Sequence, residues 1–284
     1  MTIETIVVDG LSLAKEIRDD LSSKIAERNS RGLRPPCLAV VLVGDDPASA
    51  SYIKGKRRAC QRIGMASEEH KLDQTVSQTK LTELIEKLNN DPWIDGILIQ
   101  LPLPPQINAE EVAASVEPLK DVDGLHPLNS GRLLAGQEGL FACTPLGIME
   151  ILSRHQVSIE GSHAVVLGRS SIVGKPISLL LQQKNATVTM CHSRTKDLSE
   201  MYRQADILVA AVGVPRLVKR DWIKPGAAVI DVGVTELEGN LVGDVDFEEA
   251  KGVASLLTPH RRGVGPMTIT MLLVNTLRAC EMRL

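Results

Sequence analysis

The chain has 284 residues, 43% of them hydrophobic and only 2% aromatic, with a net charge of −3. This length accommodates two modest domains, and so aliphatic a core suits buried parallel strands with covering helices. The interspersed charges exclude a basic nucleic-acid face and a charged tail, and the apolar fraction excludes global disorder.

Five scattered cysteines form no CxxC or Cys/His cluster. Neither a disulfide nor a zinc site is expected, which suits a reducing compartment. The opening MTIETIVVDG lacks a basic signal-peptide start, and no apolar run approaches membrane-spanning length. The expectation is a cytoplasmic α/β protein with no metal, nucleic-acid or membrane partner.

Leu13, Ile17, Leu21 and Ile25 recur at helical spacing, predicting a helix over 11–31 that Gly32 closes. Residues 37–43 are a continuous apolar run, read as a buried strand, and Asp45-Asp46-Pro47 is a turn. Helices are predicted over 49–63 and 77–88, with a short strand over 67–72 between them. A second buried strand over 96–101 precedes Pro102-Leu103-Pro104-Pro105, and a short helix lies near 108–116. Such alternation argues for a parallel sheet with crossover helices. Residues 119–141 lack periodicity and mark a domain junction. Thr144-Pro145 reads as an N-cap and first-turn proline opening a helix to about His155. A second alternation follows, with strands over 163–167, 187–191, 206–212, 227–232 and 255–257 and helices over 174–183 and 199–204. The last helix, over 267–280, carries Leu272, Leu273, Thr276 and Leu277.

The stretch HAVVLGRSSIVGKP (163–176) passes from an apolar strand through a glycine turn into a helix. Backbone N–H groups and the helix dipole favour an anion at such a point. Ser170 stands where G-x-G-x-x-G has its middle glycine, and neither the spacing to Gly174 nor Pro176 fits a P-loop. A plain β–turn–α connection is the alternative. The next strand ends in Cys191-His192-Ser193-Arg194, where an NAD site would carry an acid for the ribose 2′-OH. A hydroxyl and an arginine there, with Arg169 from the turn, suit a 2′-phosphate and therefore NADP. A solvated Arg194 is the plainer alternative.

Tyr52 and Lys56 lie four apart on a predicted helix and share a face. Burial of that lysine would lower its pKa and suit it to proton transfer, although a half-exposed helix face has the same pattern. Gln100 closes an apolar strand at the end where ligands bind in such sheets, or is an amide bonded to a loop. In Lys120-Asp121-Val122-Asp123-Gly124, carboxylates at i and i+2 could hold a cationic heterocycle or make an Asx turn. A metal is disfavoured because no further ligands lie nearby.

With these residues assembled, the chain resembles the bifunctional methylenetetrahydrofolate dehydrogenase/methenyltetrahydrofolate cyclohydrolase family along almost its whole length. YIKGKRRAC, DGILIQLPLP, KDVDGLHPLN, CTPLGIMEIL, VVLGRSSIVGKP, TVTMCHS, GDV and GVGPMT carry the resemblance, in order and at the family's spacing. It implies an N-terminal α/β substrate domain over 1–122, completed by a C-terminal helix over 267–284 that packs back on it. It further implies a Rossmann-like NADP-binding domain over 123–266, tetrahydrofolate substrates and a homodimer. The implied reactions are oxidation of 5,10-methylenetetrahydrofolate with NADP and hydrolysis of the product to 10-formyltetrahydrofolate.

By the same resemblance Lys56 is catalytic, Tyr52 packs beside the substrate, Gln100 supports Lys56 and Asp123 hydrogen-bonds the pterin. Leu101, Gly265 and Pro266 complete the substrate positions. Gly168, Arg169, Ser170, Ser193 and Val234 match the cofactor positions. One departure stands out. The family usually has Pro-Val-Pro-Gly where this chain reads Pro259-His260-Arg261-Arg262. If that glycine needs positive φ, Arg262 carries strain or the loop reshapes. A binding homologue with impaired catalysis is therefore the second reading. A short-chain-type dehydrogenase using Tyr52 and Lys56 fails on order, because that pair normally follows the glycine turn.

Overall fold

The computed structural model describes residues 3–45 and 47–283, and the side chains of 46–53 lie outside that description. The chain divides into two compact units. One joins the segment up to Ala14 to Thr144–Thr268, and the other joins Lys15–Cys143 to Ile269–Leu284.

The second unit is built on three parallel strands, Cys37–Val43 in the centre with Ala66–Leu72 and Gly96–Ile99 beside it. The central strand is buried along its whole length, as its unbroken CLAVVLV run requires. Helices Pro47–Ile63 and Gln78–Asn90 supply the crossovers. One aliphatic core joins the sheet to Leu81, Ile85 and Leu88 of the latter helix. The strand predicted over 96–101 ends at Ile99, and Leu101-Pro102 is a cis peptide. The turn expected at Asp45-Asp46-Pro47 includes Asp46, which lies outside the described residues.

In the other unit six parallel strands run in the order Ile6–Val7, Leu256–Leu257, Ala228–Asp231, Ile207–Ala210, His163–Leu167, Thr187–Cys191. From His163–Leu167 the chain first moves outward to Thr187–Cys191, then returns to the opposite side at Ile207–Ala210. That reversal is a topological switch point, where such sheets take ligands at the carboxyl ends of the strands.

The structure groups the segments at both ends of the chain by long-range pairing. Residues up to Ala14 join the second alternation rather than the first, because Ile6 and Val7 pair with Leu256 and Leu257. Residues 123–143, expected with the Rossmann-like half, stay with the three-stranded unit. There Ile97 N donates to Lys120 O at 2.7 Å, and Asn275 Nδ2 donates to the carbonyls of Val122 and Phe141 at 2.9 Å. The aperiodic stretch contains a helix, Pro127–Leu134, capped by His126 Nδ1 and opened by a proline. Thr144 does not cap the next helix, which runs Cys143–Arg154; its hydroxyl instead pairs with that of Thr268 at 2.9 Å. The C-terminal helix, Val264–Glu281, packs its last three turns into the three-stranded unit, with Thr276 and Leu277 buried.

Candidate functional site

In the three-stranded unit, Lys56 and Gln100 are brought together at the carboxyl end of the sheet. Gln100 follows its strand directly and its N–H donates to Val41 O at 2.9 Å. Lys56 lies on the helix that follows the central strand, and its Nζ donates to Gln100 Oε1 at 2.8 Å. The other end of the Gln100 amide donates to Leu101 O at 2.7 Å, which fixes which way the amide faces. Burial lowers the Lys56 pKa, and the neighbouring Asp123 carboxylate opposes that shift. Conversely, burial raises Asp123 to about 6, and Lys56 holds it from rising further. An amine whose pKa is lowered beside an acid whose pKa is raised is a pair suited to moving protons near neutral pH.

Asp123 is held by its neighbours. Lys120 is fully buried and donates to the carbonyls of Leu88, Asn89 and Asp91, so it closes the helix Gln78–Asn90 and acts structurally. Asp121 accepts from the N–H groups of Leu125 and His126 and from Asn129 Nδ2, so it shapes the turn. Gly124 has φ +74, and a Cβ there would overlap the backbone of Phe141. Of the two carboxylates, Asp123 alone faces Lys56. Leu101 is exposed, and with Ile99, Leu103 and Asp123 it lines a recess of about 40 Å³. The Tyr52 side chain lies outside the described residues.

Cys143 was not among the sequence-predicted site residues. It is buried beside Asp123, its thiol donates to Val122 O at 3.2 Å, and its pKa is pushed well above the ordinary thiol range by burial. Only its place just before Thr144-Pro145 could have drawn notice.

The cofactor candidates lie in the six-stranded unit, and with them Gly265 and Pro266, near the start of the last helix. Gly168 has φ +118, and a Cβ on it would overlap the Ala211 carbonyl. A Cβ on Gly174 would in turn overlap Gly168 O, so strand end, turn and helix start lie in direct backbone contact. Ser170 Oγ accepts from the N–H groups of Val173 and Gly174 at 3.2 and 3.3 Å, capping the helix Gly174–Gln183. Gly168 N donates to Cys191 O at 2.9 Å, and Leu167 is in register with Cys191. Arg169 and Ser193 therefore each stand two residues beyond the same rung, and both are exposed. Val234, 55% exposed, follows the strand Ala228–Asp231.

Two buried carboxylates were not among the sequence-predicted site residues, although Asp244 lies in the GDV motif. Asp231 Oδ1 accepts from Gly233 N and Asp244 N, and Asp244 Oδ2 accepts from Val212 N and Gly213 N. They tie together the loops beyond three strands. Asp231 shows the same signal as Gln100, a polar residue closing an apolar strand. These residues fit NADP: a close-packed glycine turn, an exposed arginine directly after it and no carboxylate at 192–194. Among the described residues no group of three His, Cys, Asp or Glu side chains could hold a metal ion, and no helix is long and apolar enough to cross a membrane.

Residues 8–123 match the family described as tetrahydrofolate dehydrogenase/cyclohydrolase, catalytic domain, and residues 142–284 match its NAD(P)-binding domain. A bifunctional protein FolD 2 of Geobacter sulfurreducens is 53% identical over 277 residues, covering 97% of each chain. The structure of a FolD methylenetetrahydrofolate dehydrogenase/cyclohydrolase from Campylobacter jejuni superposes with a TM-score of 0.96 at 45% identity, covering 99% of this chain and 100% of that one. A Trypanosoma brucei FolD complexed with NADP and an inhibitor gives a TM-score of 0.93 at 38% identity, covering 99% of this chain and 98% of that one.

Proposed function

The chain belongs to the tetrahydrofolate dehydrogenase/cyclohydrolase family, and we propose that it oxidises 5,10-methylenetetrahydrofolate with NADP and hydrolyses the methenyl product to 10-formyltetrahydrofolate. The observation that carries this reading is the half-buried Lys56–Gln100 pair beside Asp123.

When bound, NADP accepts the hydride released from the methylene carbon. The folate's own nitrogens push that hydride out, so the step calls on the protein for alignment rather than for a strong base. Gly168, Arg169, Ser170, Ser193 and Val234 hold the cofactor, with Arg169 and Ser193 taking its 2′-phosphate. Asp123 binds the pterin, Tyr52 packs beside it, and Leu101, Gly265 and Pro266 line the substrate.

Hydrolysis needs proton transfer. A water oxygen bonds to the methenyl carbon, the bond from that carbon to N5 breaks, and one proton is released. Lys56 Nζ, its pKa lowered by burial, takes a proton from the attacking water while the Gln100 oxygen holds the amine in place. The remaining hydroxyl proton passes to N5.

In this reading the three-stranded unit is the folate domain and the six-stranded unit the NADP domain. The enzyme is a cytoplasmic homodimer; the five free, buried thiols support a reducing compartment, and the family resemblance supports the dimer. One assay tests the reading: methylenetetrahydrofolate and NADP are mixed, and absorbance follows the methenyl chromophore. Formation and subsequent decay are expected. Formation without decay would remove the cyclohydrolase half, and no formation would remove both.

A further inference from the structure

Of the family's motifs, GDV at 243–245 takes no part in the reaction derived above. Its aspartate, Asp244, is fully buried. Asp244 Oδ2 accepts from Val212 N at 2.7 Å and from Gly213 N at 3.1 Å. Among the described residues nothing bonds to its Oδ1. A buried carboxylate oxygen without a donor destabilises a fold, so the residue is kept for what its bonded oxygen does.

Asp244 itself is firmly held. Asp231 Oδ1 accepts from Asp244 N at 3.0 Å, and Asp231 Oδ2 accepts from Val245 N at 3.1 Å. Val218 N donates to Asp244 O at 3.0 Å. A Cβ on Gly233 would overlap the Asp244 carboxylate, and one on Gly243 would overlap that of Asp231. Both loops therefore carry glycine where a carboxylate fills the space. With its backbone bonded on both sides and its carboxylate packed on Gly233, Asp244 has little room to move.

The two N–H groups it holds belong to the loop that starts at Ala211. That loop begins level with the glycine turn. Leu167 is in register with Ala210, and Ala211 N donates to Leu167 O at 2.8 Å. Gly168, the next residue, lies so close to the Ala211 carbonyl that a Cβ would overlap it. The strands His163–Leu167 and Ile207–Ala210 are neighbours at the topological switch point. Contacts thus run from Asp244 through Val212 and Gly213 to Ala211, and from Ala211 to Gly168, which Arg169 and Ser170 follow.

We propose that Asp244 is a positioning residue for the cofactor: by fixing the N–H groups of Val212 and Gly213 it holds the loop against which the Gly168 turn closes, and thereby sets where Arg169 and Ser170 meet NADP. This rests on the NADP reading of that turn above. The competing role is a knot that only stabilises the sheet, and it predicts a different pattern of effects.

The test uses Asp244→Ala, which removes the acceptor, and Asp244→Asn, whose amide oxygen keeps both N–H bonds while its NH2 replaces the unbonded Oδ1. The dissociation constant for NADP, titrated calorimetrically, should rise roughly tenfold in the alanine variant and return to within about threefold of wild type in the asparagine variant. Amide hydrogen exchange is followed in the protein without cofactor. Gly168 N donates to Cys191 O, and Gly226 N donates to Val253 O at the amino edge of the same sheet. In Asp244→Ala the protection of Gly168 should fall roughly tenfold and that of Gly226 less than about twofold. Equal loss at both amides, or an alanine variant that binds NADP like wild type, leaves only the stabilising knot and overturns the proposal. So does an asparagine variant that binds no better than alanine. If Asp244→Ala does not fold, Asp231→Asn weakens the anchor of Asp244 instead and should raise the NADP constant roughly threefold; no rise overturns the proposal equally. If the wild type bound no NADP, the cofactor reading would fail, and exchange at Gly168 would still decide whether Asp244 positions the turn.

Discussion

Lys56 Nζ donates to Gln100 Oε1 at 2.8 Å while the other end of the same amide donates to Leu101 O at 2.7 Å. Both ends of Gln100 are committed, so the lysine always meets an acceptor. Replacing Lys56 by Met removes the proton-accepting amine and keeps much of its volume. The expected result is a loss of methenyl hydrolysis on the order of a hundredfold or more, with NADP binding retained. Single-turnover decay of the methenyl chromophore measures it, and wild-type decay in Lys56→Met would sink the role.

The pair also sets a pH dependence with a definite sign. Lys56 accepts a proton only when neutral, so hydrolysis should rise with pH through its lowered pKa. The Asp123 charge opposes that lowering. Asp123→Asn removes the charge, so the Lys56 pKa falls further and the rising limb of kcat moves to lower pH. A limb that stays in place, or moves upward, contradicts the coupling. Reading kcat rather than KM separates this effect from weakened pterin binding.

Much of this site was legible because its residues sit at strand ends and in motifs that read locally. The runs at Gly96–Ile99 and 164–167 are apolar, and Gln100 and Gly168 are where those patterns break. What escaped depends on partners far away in the chain. Ile6–Val7 is two residues long and becomes a strand only by pairing with Leu256–Leu257. The hairpin of Thr235–Leu237 and Asn240–Val242 is too short to show alternation. Helix Pro127–Leu134 spans barely two turns and contains Gly131, and its His126-Pro127 start went unread. Lys120 looked like one more polar residue beside two aspartates. Its three carbonyl partners come from a helix end some thirty residues earlier.

That lysine gives a stability prediction independent of catalysis. Lys120→Met leaves the carbonyls of Leu88, Asn89 and Asp91 without their buried donor. The expected cost is about 3 kcal/mol, a fall in Tm of roughly 6–12 °C for a chain of this size. A change within 2 °C would mean that water replaces the amine readily.

Arg262 answers the question raised by the altered loop: the position does have positive φ, at +66°. Nothing in the comparisons supports impaired catalysis. Arg262→Gly relieves roughly 1 kcal/mol of strain and returns part of it through the greater freedom of the unfolded chain. A small rise in Tm, about 1–2 °C, is expected. Turnover of Arg261→Pro/Arg262→Gly bears on the same loop: turnover close to wild type shows the natural loop to be compatible with catalysis, and a large gain shows it to be damaging.

Cofactor choice rests on one rung of the six-stranded sheet. Leu167 is in register with Cys191, so Arg169 and Ser193 stand side by side in sequence level beyond it. Neither has a carboxylate within its turn, and a carboxylate at 193 would repel a 2′-phosphate. Arg169→Ala removes a charge-assisted contact, and kcat/KM for NADP should fall roughly ten- to a hundredfold, with NAD much less affected. Adding Ser193→Asp should carry the change further, reversing the preference by supplying an acceptor for the ribose hydroxyl. Steady-state kinetics with both cofactors checks this. Equal losses with NADP and NAD in Arg169→Ala would show that the arginine holds the shared pyrophosphate, and the 2′-phosphate assignment would then fall.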